Sequence, residues 1–419
     1  MKSEINEKLA LHGGPKAKTR PFQTGRRHGE LEKQYLNEVI DSDMLFYFMG
    51  TKVKQFQREF AEMYGMKHCV ACSSGTAAVH MAVASLELPP GTEVITSAIT
   101  DMGTLTGILY QQLVPVFADV EADTLNINPA DAEQRITART GAIVVVHHSG
   151  LAADMDSFLE ISRRHKIPII EDCAQAYLCE YEGKLAGTFG AISAFSLNHF
   201  KHITCGSGGM ILTNNDRLRY YCSLFLDKCY QREEGKRDPF FLAPNYQMTE
   251  LQGVVALAQL QKLRRIIDRR RQLGQRLTRQ LEEIPGIDVQ RVPEGSRHSY
   301  FMYLFRLKLD TLTCNADEFS SALSAEGIPN AARRITGGMV EYAYQMFQHR
   351  SAYPKSMMPF VCKDTGANIK YPMGSCPVAE RAFDEWITLD MSEHYSDQDI
   401  DEIAHGVRKV AEFYRKRSR

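Results

Sequence analysis

The stretch SAFSLNHFKHITCGSGGMI, residues 193–211, sets one lysine, Lys201, between apolar residues and a glycine-rich turn. Its flanks, AISAFSL and GGMILTN, predict two adjacent strands, so the ammonium falls at the end of a buried sheet. Burial disfavours a charged amine, and a neutral lysine is a nucleophile. Lys201 is therefore a candidate reactive amine. Taken alone, it also fits a turn lysine facing solvent.

Upstream, apolar β-branched runs alternate with helical patterns. HCVACSS, EVITSAI, VPVFADV, GAIVVVHHS and IPIIEDCA read as strands. TAAVHMAVASLEL, MGTLTGILYQQ, PADAEQRIT and MDSFLEISRRHK read as the helices between them. Alternation of this kind predicts an α/β fold, a mostly parallel sheet with helices on both faces. Two helices, ELEKQYLNEVIDS and KVKQFQREFAEMYG, precede it, after a polar arm. A long helical region follows, opened by a capping box of Thr249 and Gln252. Its run RRIIDRRR reads as a solvated helix face. Beyond about residue 285, SYFMYLFRLKL predicts a strand and NADEFSSALSAEGI a helix, and the chain closes on an amphipathic helix. The expected organisation is an arm over 1–30, a large α/β domain over 31–262 and a smaller α+β domain over 263–419.

With 50 Lys and Arg against 51 Asp and Glu, the net charge of −1 gives no footprint for nucleic acid. No run approaches the roughly 20 apolar residues a membrane span needs. The N-terminus lacks an apolar leader core, and a cytoplasmic location is the expectation. Ten cysteines are scattered, and Cys69 with Cys72 has no second pair at metal-site spacing. No metal is expected, and two cysteines in a buried strand is the reading of that pair.

Ligands of open parallel sheets bind outside the carboxyl ends of the strands. Four signals fall there. SSGTAA, residues 73–78, is a small-residue turn opening a helix, where Gly75 and Thr76 offer an anion backbone N–H groups and a hydroxyl. Asp172 ends an apolar strand in IIEDCAQA, where a buried carboxylate needs a cation or strong donor. Lys201 follows Ser196 by five residues. Asn245, in PNYQMTELQ, precedes a helix start. Each also fits a cap, turn or loop role when taken singly.

The whole series resembles the DegT/DnrJ/EryC1/StrS family of pyridoxal-phosphate-dependent sugar and aminocyclitol aminotransferases. LALHGGPKAKTRPF, SSGTAAVHMA, VPVFADVEADTLNINP, IEDCAQA, GTFGAISAFSLNHFKHITCGSGGMILTNND, NYQMTELQGVVALAQLQKL and CPVAERAFDEWITLDM all look like family segments in family order. The resemblance implies an aspartate-aminotransferase-like fold of type I with a seven-stranded sheet. It implies pyridoxal 5′-phosphate as cofactor, bound by Lys201 as a Schiff base. Asp172 would hold the pyridine nitrogen, Gln175 would sit near the 3-hydroxyl, and Gly75, Thr76 and Ser196 would take the phosphate. Asn245 would reach the phosphate of a neighbouring subunit, which implies a homodimer with shared sites. Two places depart from the family pattern. Asp101, followed by Met102, stands where a stacking aromatic is common, so that Met102 would cover the cofactor ring or Asp101 would pair with a substrate group, and His148, Ser149 and Leu151 replace an apolar residue, an aromatic and a glutamine. His148, Arg333 and Arg334 are candidates for substrate contact, and the segments RHSYFMY and AARRITGGMVEYAY are where acceptor contacts are expected.

The implied activity is transamination with ping-pong kinetics, from glutamate or glutamine to a keto or aldehyde sugar or cyclitol. Alternatives are another pyridoxal-phosphate reaction on a sugar, dehydratase- or epimerase-like, and a non-catalytic regulator of the same fold. Family dehydratases carry histidine for the lysine. Here the lysine is present between His199 and His202.

Overall fold

The structure, a computed structural model, describes residues 8–332, 337–362 and 366–416. Its centre is a seven-stranded sheet of β1 (His68–Cys72), β2 (Glu93–Ser97), β3 (Val114–Ala118), β4 (Thr140–Val146), β5 (Ile169–Asp172), β6 (Ile192–Ser196) and β7 (Gly209–Thr213). The spatial order is β1-β7-β6-β5-β4-β2-β3, and only β7 runs against the rest. This is the expected α/β architecture.

The apolar runs are continuous because both faces of the sheet are covered. Successive strand residues go to opposite sides. Val94, Val144 and Ile170 pack with α3 (Gly75–Ala84), α4 (Met102–Tyr110) and α7 (Asp216–Phe225). Ile95, Ile143, Val145 and Ile169 pack with α6 (Met155–His165), beside α5 (Pro129–Gln134). Near β1 and β6, α2 (Lys52–Tyr64) and α8 (Glu250–Leu260) cover that second face, and α1 (Glu30–Asp41) lies on α8. The Thr249–Gln252 capping box opens α8 as read from sequence. The edge strand β3 is shielded by a later segment: the Phe117 ring meets Tyr342, Phe347 and Tyr371, and the Tyr371 hydroxyl donates to Pro115 O.

A second, antiparallel sheet of β8 (Ile287–Val289), β9 (Met302–Leu307), β10 (Asn330–Ala332) and β11 (Trp386–Asp390) runs in the order β8-β9-β11-β10. Its core joins α9 (Leu263–Leu281), α10 (Ala316–Ala325) and α12 (Asp397–Tyr414), while α11 (Pro377–Glu385) packs towards the large sheet. The run RRIIDRRR, expected as a solvated face, divides. Arg264 and Arg265 are exposed, but Arg270 and Arg271 are buried. Arg270 donates to Glu393 and to Tyr300 O, and Arg271 donates to His298 O and Leu178 O. Carbonyls and a carboxylate distant in sequence make this burial tolerable. All ten cysteines are free thiols, Cys72 buried and Cys69 partly so. Among the described residues, no helix is long and apolar enough to cross a membrane.

The arm is pinned by two buried ion pairs. Glu326 accepts from Lys409 and from the backbone N–H groups of Ala10 and Ala17. Lys18 meets Asp399 at 2.6 Å. Burial alone would raise the Asp399 pKa, but bonds from Lys18, Ser396 and Gln23 outweigh it and hold it at about 2, below the ordinary 3.8. A depressed carboxylate contributes stability above the unfolded value and loses it as pH falls through the folded one. Asp399→Asn is thus expected to cost about 3 kcal/mol at pH 7, as breaking a buried pair does. Urea unfolding of the two proteins should show the gap narrowing as pH drops below 3.8 towards 2.

Candidate active site

The carboxyl ends of β1, β4, β5 and β6 open on one cavity of about 410 Å³. Gly75, Thr76, Asp101, Asp172, Gln175, Ser196 and Lys201 line it together. Larger grooves elsewhere, of about 550 and 680 Å³, hold none of these residues.

One wall is the start of α3. The Ser74 side chain caps it by accepting from Ala77 N at 3.0 Å, and Gly75 and Thr76 form its first turn, where N–H groups have no helical partner. A Cβ on Gly75 would lie 2.5 Å from Ser196 Cβ, and one on Gly209 would lie 2.3 Å from Ser74 O. Glycine at both places lets α3 seat directly on the ends of β6 and β7. The result is a cradle of backbone N–H groups beside the Ser196 hydroxyl.

Asp172 is 5% exposed. Its oxygens accept from the Thr104 hydroxyl at 2.8 Å and from Ala174 N at 3.0 Å. Burial pushes its pKa up; those two bonds and the Lys201 charge pull the other way without cancelling it. The strand also carries Glu171, on the opposite face. Glu171 accepts from Gly187 N, Phe189 N and Gly190 N, and meets His147 Nε2 at 3.0 Å. His147 Nδ1 accepts from Ala153 N, so Nε2 carries the proton that is donated to Glu171. Hydrogen bonds within the protein thus occupy both His147 and Glu171.

Lys201 sits in the turn between β6 and β7, with its ammonium 4.6 Å from the centre of the Phe301 ring. Among the described residues no carboxylate lies in ion-pair contact with it. Burial pulls its pKa down, against the pull of Asp172 and Asp101. A buried carboxylate without a cation in contact and a buried amine without an anion in contact face one space. With the cradle at its side, this donor set suits a ligand offering a phosphate, a protonated nitrogen and an amine-reactive carbonyl.

The other expected residues divide. Gln175 Oε1 accepts from Ser149 N. Asp101 caps α4 by accepting from Gly103 N at 2.7 Å, and Met102 opens that helix, packs on the large core and stays out of the cavity lining. His148 is buried, is not among the residues lining the cavity, and has neither ring nitrogen hydrogen-bonded among the described residues; burial, then the Lys201 charge, takes its pKa down to about 4. Asn245 lies outside the cavity, accepting from Gln247 N. Arg333 and Arg334 fall outside the described residues. Sequence reading missed Thr104 and Asn198, whereas Phe301 and Met302 lie in RHSYFMY, a segment expected to carry acceptor contacts. Thr100 and Thr104, four apart at a strand-to-helix junction, share a hydrogen bond of 2.7 Å, and that spacing was the available signal. Phe301 and Met302 reach the cavity from the second sheet's side.

The profile of the DegT/DnrJ/EryC1/StrS aminotransferase family matches residues 26–408. The chain is 32% identical over 419 residues to the putative L-glutamine:3-amino-2,3-dideoxy-scyllo-inosose aminotransferase of Micromonospora echinospora, covering 97% of each chain. Its fold is similar to that of 3-amino-5-hydroxybenzoic acid synthase, with a TM-score of 0.82 at 24% identity over 94% of this chain and 99% of that one. It is also similar to GDP-4-keto-6-deoxymannose-3-dehydratase solved with a trapped PLP-glutamate geminal diamine, with a TM-score of 0.79 at 23% identity over 93% and 100%. The chain belongs to the DegT/DnrJ/EryC1/StrS aminotransferase family and is a transaminase.

Proposed function

We propose that the protein uses pyridoxal phosphate to move an amino group from glutamate or glutamine to a keto or aldehyde sugar or cyclitol in a biosynthetic pathway. One observation carries this reading: the Lys201 amine and the Asp172 carboxylate share a cavity with the Gly75–Ser196 cradle. When bound, the cofactor supplies an aldehyde that takes up the amine and a ring that takes up an electron pair. The N–H groups at Gly75 and Thr76, with the Ser196 hydroxyl, hold its phosphate. Asp172 holds a proton on the ring nitrogen, with Thr104 and Ala174 fixing the carboxylate. Gln175 would hold the 3-hydroxyl. Lys201, its charged form disfavoured by burial, is the amine that would hold the aldehyde, and it would carry a proton away from the donor's α-carbon and return it. The same groups serve both half-reactions, which gives ping-pong kinetics.

Asn245 acts in a partner copy's site in this reading, within a homodimer. Its outward position supports this, as do Phe240 and the 96%-exposed Leu242 just before it and Phe200 at the cavity lip. The test is spectroscopic and chemical. The protein loaded with pyridoxal phosphate should be yellow, and glutamate or glutamine should shift its visible band. Adding keto sugars or cyclitols should then restore the band and yield an amine by mass. A pure protein that gains no band with the cofactor overturns the reading, and a dehydrated or epimerised product would replace transamination by that chemistry.

A further inference from the structure

The N-terminal segment before α1 reaches into the turn that carries Lys201. The Arg27 guanidinium donates to the carbonyls of His199 and Lys201, and to His202 O at 3.0 Å. One planar fork therefore gathers three carbonyls within four residues, centred on the lysine. The flanks of the turn are tied otherwise: Leu197 N donates to Gly208 O, Cys205 N and the Thr204 hydroxyl donate to Leu197 O, and His202 Nε2 meets Ser299 O. Next to Lys201 the other bonds are short-range ones to a single residue: Lys201 N donates to Asn198 O at 2.9 Å, and Phe200 N to Asn198 Oδ1 at 3.1 Å.

Arg27 is itself held in place. Its carbonyl accepts from Gln259 Nε2 at 2.8 Å and from Lys262 Nζ at 3.2 Å. Glu32 accepts from the same two side chains and from Gly29 N, which opens α1. The large domain's α8 and the residues after it thereby fix the segment that presents the fork. The neighbouring Arg26 is exposed, so charge on this segment is not in itself the device.

We infer that Arg27 is the positioning residue of the reactive amine: it sets the backbone from His199 to His202 and so aims the Lys201 side chain into the cavity. A guanidinium stays charged and presents several N–H groups in one plane, whereas a lysine presents a single point charge. Losing the fork leaves carbonyls unpaired, the turn relaxes, and an amine displaced by about 1 Å costs about 10²-fold in rate. The kinetic consequence rests on the proposed transamination; the backbone consequence does not.

The experiment compares wild type, Arg27→Ala, Arg27→Lys and, as a control, Arg26→Ala, each as the full chain with and without pyridoxal phosphate. Amide hydrogen exchange is read by peptide mass. In Arg27→Ala the amides of residues 199–205 should exchange at least about tenfold faster, with the strands β5 and β6 unchanged. The kcat should fall about 10²-fold with the donor KM nearly constant, and millimolar guanidinium should restore part of it. Arg27→Lys should lie between, and Arg26→Ala should match wild type. If Arg27→Ala does not fold, the same comparison is made on Arg27→Lys. Unchanged exchange at 199–205, or a kcat loss that guanidinium does not relieve, overturns the inference. A wild type that takes up no cofactor sinks the transamination reading alone, and the exchange comparison still decides the role of Arg27.

Discussion

Lys201→Ala is expected to fold, to bind donor and cofactor less tightly, and to turn over at least about 10³-fold more slowly than wild type. The side chain sits in a turn whose backbone is held by Arg27, Asn198 and the ends of β6 and β7, none of which needs the amine. Its ammonium makes no ion pair among the described residues, so truncation should leave the unfolding transition nearly in place. Chemistry should suffer instead, because the nucleophile and the proton carrier are one group. Borohydride reduction of the loaded protein followed by peptide mass should attach the cofactor to Lys201 and nowhere else. Turnover of the variant within tenfold of wild type, or a label at another lysine, would remove the basis of the proposed reaction.

Asp172→Asn should rank next. The amide keeps the size of the carboxylate but not its charge, and it cannot accept from both Thr104 and Ala174 while presenting an oxygen to a cation. Removing the charged partner of a buried pair costs about 3–5 kcal/mol, which is about 10²- to 10⁴-fold in cofactor affinity or turnover. Equilibrium dialysis with pyridoxal phosphate and steady-state rates would read both. Burial raises the Asp172 pKa, so its ionised form is lost earlier on acidification than that of an ordinary aspartate. Cofactor affinity of the wild type should therefore fall as pH drops through that raised value, and the Asp172→Asn variant, titrated side by side, should lack this step. A flat wild-type profile would mean that Asp172 carries no charge that binding uses.

The large sheet was readable in the sequence because its strands are buried on both faces, which leaves short apolar runs bounded by turns. The Thr249–Gln252 box was equally readable, since both partners lie within one helical turn. Contacts made across the fold were not. Arg270 and Arg271 look like surface charges until Glu393 and the carbonyls of residues 298–301 come into view. Arg27 belongs with them, since its acceptors lie more than 170 residues away. Asp101 shows the local side of this. It lines the cavity and also caps α4, a role that its position just before that helix marks by local rules alone.

The neighbours Glu171 and Asp172 divide two duties along one strand. The first has its oxygens satisfied by the protein's own N–H groups and His147; the second is left to face the cavity. Because side chains alternate with a period of two, a slip of Ile169–Asp172 by one step would exchange them. Glu171 would forfeit its built-in donors, and the ligand would find the wrong acid at the wrong height. Misaligned chains would thus be fragile and colourless together, so that uptake of a coloured cofactor doubles as a quality check on sheet assembly.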